Sequence, residues 1–117
     1  MGNTLYGIAN CDQVKKARGW LDAHHCPFQF HDVRKAGLDR SLIESWLQHV
    51  SWQTLVNRKG TTWRALSDDY QASIVDADSA IVLMLAAPAV IKRPVLVTPT
   101  TAVVGFSDHL YQQIFKN

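Results

Sequence analysis

The sequence predicts an α/β fold in which a βαβ unit and a ββα unit flank a helical insertion. Two observations lead to this prediction. Short apolar runs of β type occur near both ends of the 117-residue chain, whereas about fifty residues in the middle carry apolar side chains at helical spacing. A chain of this length buries a core without a disulfide or metal. We therefore expect a single domain over 1–117, with the helical insert at approximately 38–88.

The N-terminal elements are predicted from the period of their apolar residues. A strand is expected at 4–8, a helix at 11–24 and a second strand at 27–32. The helix carries three apolar residues on one face: Val14, Ala17 and Leu21. Because βαβ crossovers are right-handed and join parallel strands, we expect these two strands to be parallel neighbours.

The middle of the chain carries helix-start signals. Asp39 is the predicted N-cap of a helix with an apolar stripe at Leu42, Ile43, Trp46, Leu47 and Val50. A looser segment is expected at 57–64. Two further helices are predicted. The first has Ser67 or Asp68 as its N-cap, and the second begins after the segment 74–79 and ends near Pro88.

The last section returns to strands. Apolar runs at 95–97 and 102–104 are separated by a turn-like segment and predict a two-strand hairpin. Ser107 is the predicted N-cap of a terminal helix. The complete order, βαβ, helical insert and ββα, is that of a thioredoxin-like fold whose two halves are separated by a helical subdomain. In that layout Pro94 is expected to face Cys11.

Composition narrows the classes of function. Lys and Arg exceed Asp and Glu by 12 to 10, and the basic residues are dispersed, which argues against a nucleic-acid surface. No stretch approaches the roughly 18 apolar residues of a membrane span, and the N-terminus lacks the pattern of a secretory signal. We expect a cytoplasmic protein that binds neither nucleic acid nor membrane.

Cys11 is the principal candidate for chemistry. It stands where the first strand gives way to the first helix, and unpaired N–H groups with the positive end of the helix dipole favour the thiolate there. Lys15 and Lys16 add positive charge one turn on. The alternative is a small buried apolar residue, the usual role of a free cysteine. Cys26 is interpreted as a packing residue, because a static disulfide is improbable in a reducing compartment.

Several histidines lie near Cys26 in sequence, namely His24, His25 and His31. Adjacent residues at a helix end point in different directions, and a metal site needs three or four convergent ligands. We therefore predict no metal site and no bound cofactor.

Three blocks of sequence resemble the glutathione- and glutaredoxin-dependent arsenate reductase and Spx family, most closely its branch of small reductase-like proteins. The blocks are LYGIANCDQVKKAR at 5–18, LVNRKGTTWR at 55–64 and LMLAAPAVIKRPVLV at 83–97. The resemblance implies a thioredoxin-like fold with a helical insertion and Cys11 as nucleophile. It also implies that Arg58 and Arg93 bind anions and that the peptide bond before Pro94 is cis. The alternative for Arg93 is a snorkelling surface residue at a strand start. Without the resemblance, Arg58 would be interpreted as a solvated loop residue.

The chain departs from the family pattern at several places. The loop after the cysteine, of Gly-Thr-Ser-Arg type in arsenate reductases, is Asp12-Gln13-Val14-Lys15 in this chain. Arsenate reductases of the family carry a histidine where this chain has Gly7, and a third arginine near Gly105 and Phe106. Spx regulators carry the second cysteine of a Cys-x-x-Cys pair where this chain has Val14. We therefore expect weak or absent arsenate reduction and no Cys-x-x-Cys switch.

The resemblance implies a small thiol-dependent oxidoreductase in which Cys11 attacks an anionic or thiol/disulfide substrate. Glutathione is the expected co-substrate, and glutaredoxin is a possible partner. The alternative is a non-enzymatic, Spx-like regulator that binds a protein such as RNA polymerase.

Overall fold

The computed structural model describes residues 2–116. The chain divides into two compact units. The first is formed by residues up to Ala36 together with those from Arg93 onward, and the second is Gly37–Lys92. Each unit has its own buried apolar residues.

The first unit is built on a four-stranded sheet. Its strands are β1 (Asn3–Gly7), β2 (Phe28–Asp32), β3 (Val95–Val97) and β4 (Ala102–Val104), in the order β2-β1-β3-β4. β1 is parallel to β2 and antiparallel to β3, and β3 and β4 form an antiparallel hairpin. The predicted parallel pair and hairpin are confirmed, and the mixed sheet is that of a thioredoxin-like fold.

Two helices belong to the same unit. These are α1 (Asp12–Ala23) and α7 (Asp108–Ile114), and Ser107 caps α7 by accepting the N–H of Leu110, as predicted. One buried cluster joins the sheet to both helices, with the members Leu5, Val14, Ala17, Trp20, Leu21, Leu96 and Tyr111. Each large apolar side chain buried here stabilises the fold by about 1.5–3 kcal/mol. This packing fixes the start of α1 against the end of β1.

The second unit contains five helices in its described residues. They are α2 (Arg40–Leu47), α3 (Trp52–Leu55), α4 (Thr61–Arg64), α5 (Asp68–Ser73) and α6 (Ala77–Ala86), followed by a 3₁₀ turn at Pro88–Val90. Side chains of Asp39, Ser51, Ser67 and Asp76 accept backbone N–H groups at the starts of α2, α3, α5 and α6. The Asp39 cap is as predicted, and of the two candidates for α5 Ser67 is the cap.

The segment predicted to be loose, 57–64, contains the helix α4. Gly60 begins it, and the N–H of Arg64 donates to the Gly60 carbonyl at 3.2 Å. A four-residue helix is too short to show apolar periodicity, which explains the error.

The second unit ends at Lys92. Two backbone hydrogen bonds hold its last residues, from the N–H of Asn57 to Val90 and from that of Lys92 to Leu55, both at 2.8 Å. Val56 and Ile91 form an antiparallel bridge between these bonds. Across residues 2–116, every helix is too short or too polar to cross a bilayer.

Candidate active site

Each of the four strands has one of its ends at the same edge of the sheet. The strand register pairs Gly7 with Asp32, Tyr6 with Val95 and Val95 with Val104. The ends of β1, β2 and β4 and the start of β3 therefore share this edge. The loop after β1 leads from there to Cys11.

Cys11 is the N-cap residue of α1. Its backbone is extended, with φ −139° and ψ 127°, and its carbonyl accepts the N–H of Lys15 at 2.9 Å. Among residues 2–116, nothing donates a capping hydrogen bond to its side chain. Cys11 is half-buried and packs against the apolar cluster, while Lys15 and Lys16 are exposed. Cys11 is therefore a partly exposed residue at a helix start, where backbone N–H groups are unpaired.

Asp32, which the sequence did not single out as a site residue, lies at the end of β2. Its Oδ1 accepts the N–H groups of Arg34 and Lys35 at 2.9 and 3.2 Å, and its Oδ2 accepts that of Ala9 at 3.3 Å. Burial acts to raise the pKa of Asp32, but these three N–H groups hold it below its usual value. An aspartate at a strand end, accepting N–H groups two and three residues on, is the local signal that could have identified the turn.

Pro94 stands immediately before β3 at the same edge. The peptide bond between Arg93 and Pro94 is cis, the isomer that the resemblance implies. Pro94 is buried, and its carbonyl accepts the N–H of Gly105 at 2.8 Å. Arg93 is half-buried and belongs to the same unit as Cys11.

Arg58 belongs to the second unit, in the turn between α3 and α4. Its guanidinium carbon lies 5.5 Å from the ring centre of Trp52, a cation–π arrangement. It lines a cleft of about 340 Å³ with two more exposed cations, Lys59 and Lys92. The described residues lining this cleft include no carboxylate. The sequence identified Arg58 but not the two lysines as cleft residues.

The turn that carries Arg58 is organised by Asn57. The Asn57 side-chain oxygen accepts the N–H of Lys59 at 3.3 Å, and its carbonyl accepts that of Gly60 at 3.2 Å. A Cβ on Gly60 would lie 3.0 Å from the Asn57 amide nitrogen. Glycine thus allows the tight turn that places Arg58 and Lys59 side by side.

Two departures from the arsenate reductases have a steric basis. A Cβ at Gly7 would lie 2.6 Å from Cγ2 of Val14, a fully buried and branched side chain. Gly105 has φ 79°, in the left-handed region that favours glycine. The next residue, Phe106, packs edge-on against Tyr111 at 4.8 Å between ring centres. A side chain at Gly7 therefore requires Val14 to move, and a non-glycine residue at Gly105 would have a strained backbone.

Cys26 lies beyond the opposite end of α1 from Cys11. Its thiol donates to the His24 carbonyl at 3.6 Å, and its side chain packs against the apolar cluster. The helix between the two cysteines has 12 residues and is roughly 18 Å long, far beyond the reach of a disulfide. Both cysteines are free.

The histidines near Cys26 have packing contacts. The His24 ring stacks on Trp20 at 3.8 Å between ring centres, and its Nδ1 lies 2.8 Å from the Trp20 carbonyl oxygen. Among residues 2–116, no group of three His, Cys, Asp or Glu side chains is arranged to hold a metal ion.

Together the sheet order, the cysteine at the helix start and the proline before β3 define a thioredoxin-like domain, the fold of thiol oxidoreductases. Residues 6–114 match the model of the ArsC family, and the chain belongs to that family. An ArsC-related protein from Brucella melitensis, described as an arsenate reductase related protein, is 47% identical with a TM-score of 0.78, covering 100% of this chain and 97% of its own. An uncharacterized protein of Haemophilus influenzae is 38% identical over 96% of this chain and 97% of its own length.

More distant relatives have two kinds of name. The global transcriptional regulator Spx of Streptococcus pneumoniae is 22% identical over 90% of this chain and 79% of its own. A glutaredoxin of Archaeoglobus fulgidus matches all of this chain and 89% of its own with a TM-score of 0.50 and 12% identity. Because the sequence identity to the glutaredoxin is only 12%, this match supports the thioredoxin-like fold and carries nothing about function.

Proposed function

We propose that this protein is a small glutathione-coupled thiol oxidoreductase with Cys11 as its nucleophile. The observation that carries the proposal is the position of Cys11 as the N-cap of α1 with an accessible side chain. The N–H groups at the start of α1 are placed to stabilise negative charge on the Cys11 sulfur. This favours the thiolate that attacks the substrate, and it favours the same thiolate as the leaving group when the mixed disulfide is resolved. Cys26, at the far end of the helix, has no such environment.

The proposed reaction consists of two thiol–disulfide exchanges. The Cys11 thiolate attacks the glutathione sulfur of a glutathionylated substrate, so that a Cys11–glutathione disulfide forms and the substrate leaves as its thiolate. A second glutathione thiolate then attacks that mixed disulfide, which releases oxidised glutathione and restores Cys11. Resolution by an outside thiol follows from the distance to Cys26. Glutaredoxin is the alternative resolving partner, and the cytoplasm is the proposed compartment because its glutathione keeps both cysteines reduced.

Arg58 and Arg93 are the proposed anion-binding residues. Glutathione carries two carboxylates, and the planar guanidinium group binds carboxylate with two parallel hydrogen bonds. The cleft around Arg58 adds Lys59 and Lys92 and has no described acidic residue in its lining, which favours an anionic ligand. Its exposure to solvent predicts modest affinity.

The decisive experiment uses intact-mass measurement after addition of oxidised glutathione. Wild-type protein should gain one glutathione on Cys11, Cys26→Ser should do the same, and Cys11→Ser should gain none. In parallel, iodoacetamide should modify Cys11 much faster than Cys26. Preferential modification of Cys26, or no adduct on the wild-type protein, would overturn the proposal.

A second candidate function is that of a regulator that binds a protein such as RNA polymerase, in the manner suggested by the Spx relatives. Val82 and Leu85, three residues apart on α6, are 58% and 38% exposed, and apolar exposure of this kind favours a protein partner. Val14 is fully buried at the second Cys-x-x-Cys position, so any such binding would lack that redox switch. Capture of polymerase that is lost in Val82→Lys, with no glutathione turnover, would favour this candidate over the enzyme.

A further inference from the structure

The loop that leads into Cys11 is tied to the neighbouring strand by one side chain. Residues 8–10 have no regular structure, and Ala9 and Asn10 are exposed. The Ala9 N–H donates to Oδ2 of Asp32 at 3.3 Å, a contact between residues 23 positions apart. Nearby, the N–H of Val33 donates to the Gly7 carbonyl at 2.9 Å. The end of β2 therefore holds both ends of the segment 7–9.

The two oxygens of Asp32 have separate tasks. Oδ1 accepts the N–H groups of Arg34 and Lys35 and so forms the turn after β2. Oδ2 accepts the N–H of Ala9, two residues before Cys11. Three N–H donors on one carboxylate form charge-assisted hydrogen bonds, which are stronger than those to a neutral acceptor. This orients the carboxylate, so that Oδ2 is a fixed anchor for the loop.

We propose that Asp32 is a positioning residue for Cys11, acting by fixing the backbone of residues 9–11 through its Oδ2. The inference rests on the proposed function, in which Cys11 is the nucleophile. In-line attack on a disulfide constrains the direction from which sulfur approaches, and small displacements of a reacting group cost large factors in rate. A loop that is free to move would present the sulfur in the productive orientation for a smaller fraction of the time.

Asp32→Asn is the informative variant because it separates the two oxygens. The amide oxygen can still accept the N–H groups of Arg34 and Lys35, but the amide nitrogen replaces Oδ2 and cannot accept the N–H of Ala9. Asp32→Ser is a second variant, since a hydroxyl also forms this kind of turn without reaching the loop. The matched control is Asp76→Asn, which removes a carboxylate that caps α6 in the second unit.

We expect hydrogen exchange at the Ala9 amide to accelerate about tenfold or more in both Asp32 variants, as for loss of a hydrogen bond to a charged acceptor. Formation of the Cys11–glutathione disulfide should slow by about tenfold, while alkylation by iodoacetamide, which is less demanding in direction, should slow less. Removing a negative charge would by itself speed reaction with anionic glutathione disulfide. The expected slowing therefore has the opposite sign to a simple charge effect.

Four outcomes separate the explanations. Wild-type rates in both Asp32 variants, with the wild-type Cys11 reactive, would overturn the positioning role while leaving the proposed function intact. A faster Cys26 reaction in the Asp32 variants would indicate general loosening of the unit and would also overturn it. An unreactive Cys11 in the wild-type protein would refute the proposed function itself. Slowing confined to Cys11, with Asp76→Asn at the wild-type rate, supports the proposal.

Discussion

The two compact units hold different parts of the proposed chemistry and are built in different ways. In the first unit, pairing between β1 and β3, strands far apart in sequence, brings Pro94 to the end of β1, from which the chain leads to Cys11. In the second, four of the seven cleft residues come from a single stretch, Val56–Lys59, and the turn is held by Asn57. The position of the proposed nucleophile thus depends on the topology of a whole unit, whereas the cationic cleft depends mainly on one local turn.

This difference bears on how the chain departs from arsenate reductases. Both missing side chains belong to the first unit, at Gly7 and Gly105, while Arg58 of the second unit is retained. Gly7 is constrained by packing against Val14, and Gly105 by its backbone conformation. The departures from the expected arsenate-reductase pattern therefore lie in the unit of Cys11, and Arg58 lies in the other unit.

The largest expected effect concerns arsenate. Turnover with glutathione and glutaredoxin should be several orders of magnitude below that of an arsenate reductase, because each missing charged contact contributes roughly 3 kcal/mol at a transition state. Arsenate-dependent oxidation of glutathione measures it, with Cys11→Ser as the blank. Robust turnover by the wild-type protein would show that neither Gly7 nor Gly105 limits the reaction.

The next effect tests the steric basis of Gly7. Gly7→Ala should destabilise the protein by about 1–3 kcal/mol, because the added Cβ meets buried Val14. In the double variant with Val14→Ala the cost should be less than the sum of the two single costs, since the clash is removed. Urea unfolding of all four proteins measures the coupling.

Gly19 supplies the control for that experiment. Apart from its own helix and its chain neighbours, no atom of residues 2–116 lies within 4 Å of a Cβ placed there. Gly19→Ala should therefore stabilise α1 by about 0.5–1 kcal/mol. Equal effects of alanine at both glycines would refute the special role of position 7.

How far the sequence predicts each region follows from the range of its contacts. The helix starts at Asp39 and Ser107 could be predicted because a cap bonds an N–H three residues on. Cys11 could be predicted because it stands at a strand-to-helix junction, a local feature. The link from Asp32 to Ala9 could not, since it joins two strand ends 23 residues apart. Lys92 was missed as a cleft residue for the same reason: pairing of 90–92 with 55–57 brings it there.

A smaller effect tests whether the cationic cleft serves the thiol reaction. Arg58→Gln and Arg93→Gln should each slow formation of the glutathione adduct by about tenfold at most, since one charge-assisted contact is worth roughly 1.5–3 kcal/mol before losses to solvent. Alkylation by neutral iodoacetamide should change less. Arg64→Gln removes the same charge from an exposed site in the second unit outside the cleft, and it should leave both rates unchanged. If Arg58→Gln behaves like Arg64→Gln, the cleft has no part in binding glutathione.

The smallest effect compares one carboxylate from each unit under acid. Burial acts to raise the pKa of Asp32, but the N–H groups of Arg34, Lys35 and Ala9 hold it below its usual value. The N–H and hydroxyl of Ser79 hold the pKa of Asp76 below its usual value in the same way. A pKa that is lower in the folded state gives stability that is present above the unfolded value of 3.8. That stability is lost as the pH falls through the folded value.

Urea unfolding at a series of pH values between about 6 and 2 should therefore show a shallower acid loss in Asp32→Asn and in Asp76→Asn than in the wild-type protein. For both variants, the difference from wild type in the free energy of unfolding should become smaller as the pH falls. The two carboxylates should affect different parts of the chain when they are protonated. Asp76 bonds within the first turn of its own helix, whereas Asp32 joins two separate strand ends. Acid should lower the protection of the Ser79 amide, relative to its intrinsic exchange rate at the same pH, through Asp76, and that of the Ala9 amide through Asp32. Parallel pH curves for all three proteins would show that neither carboxylate is coupled to folding, and the anchor at Ala9 would lose its physical basis.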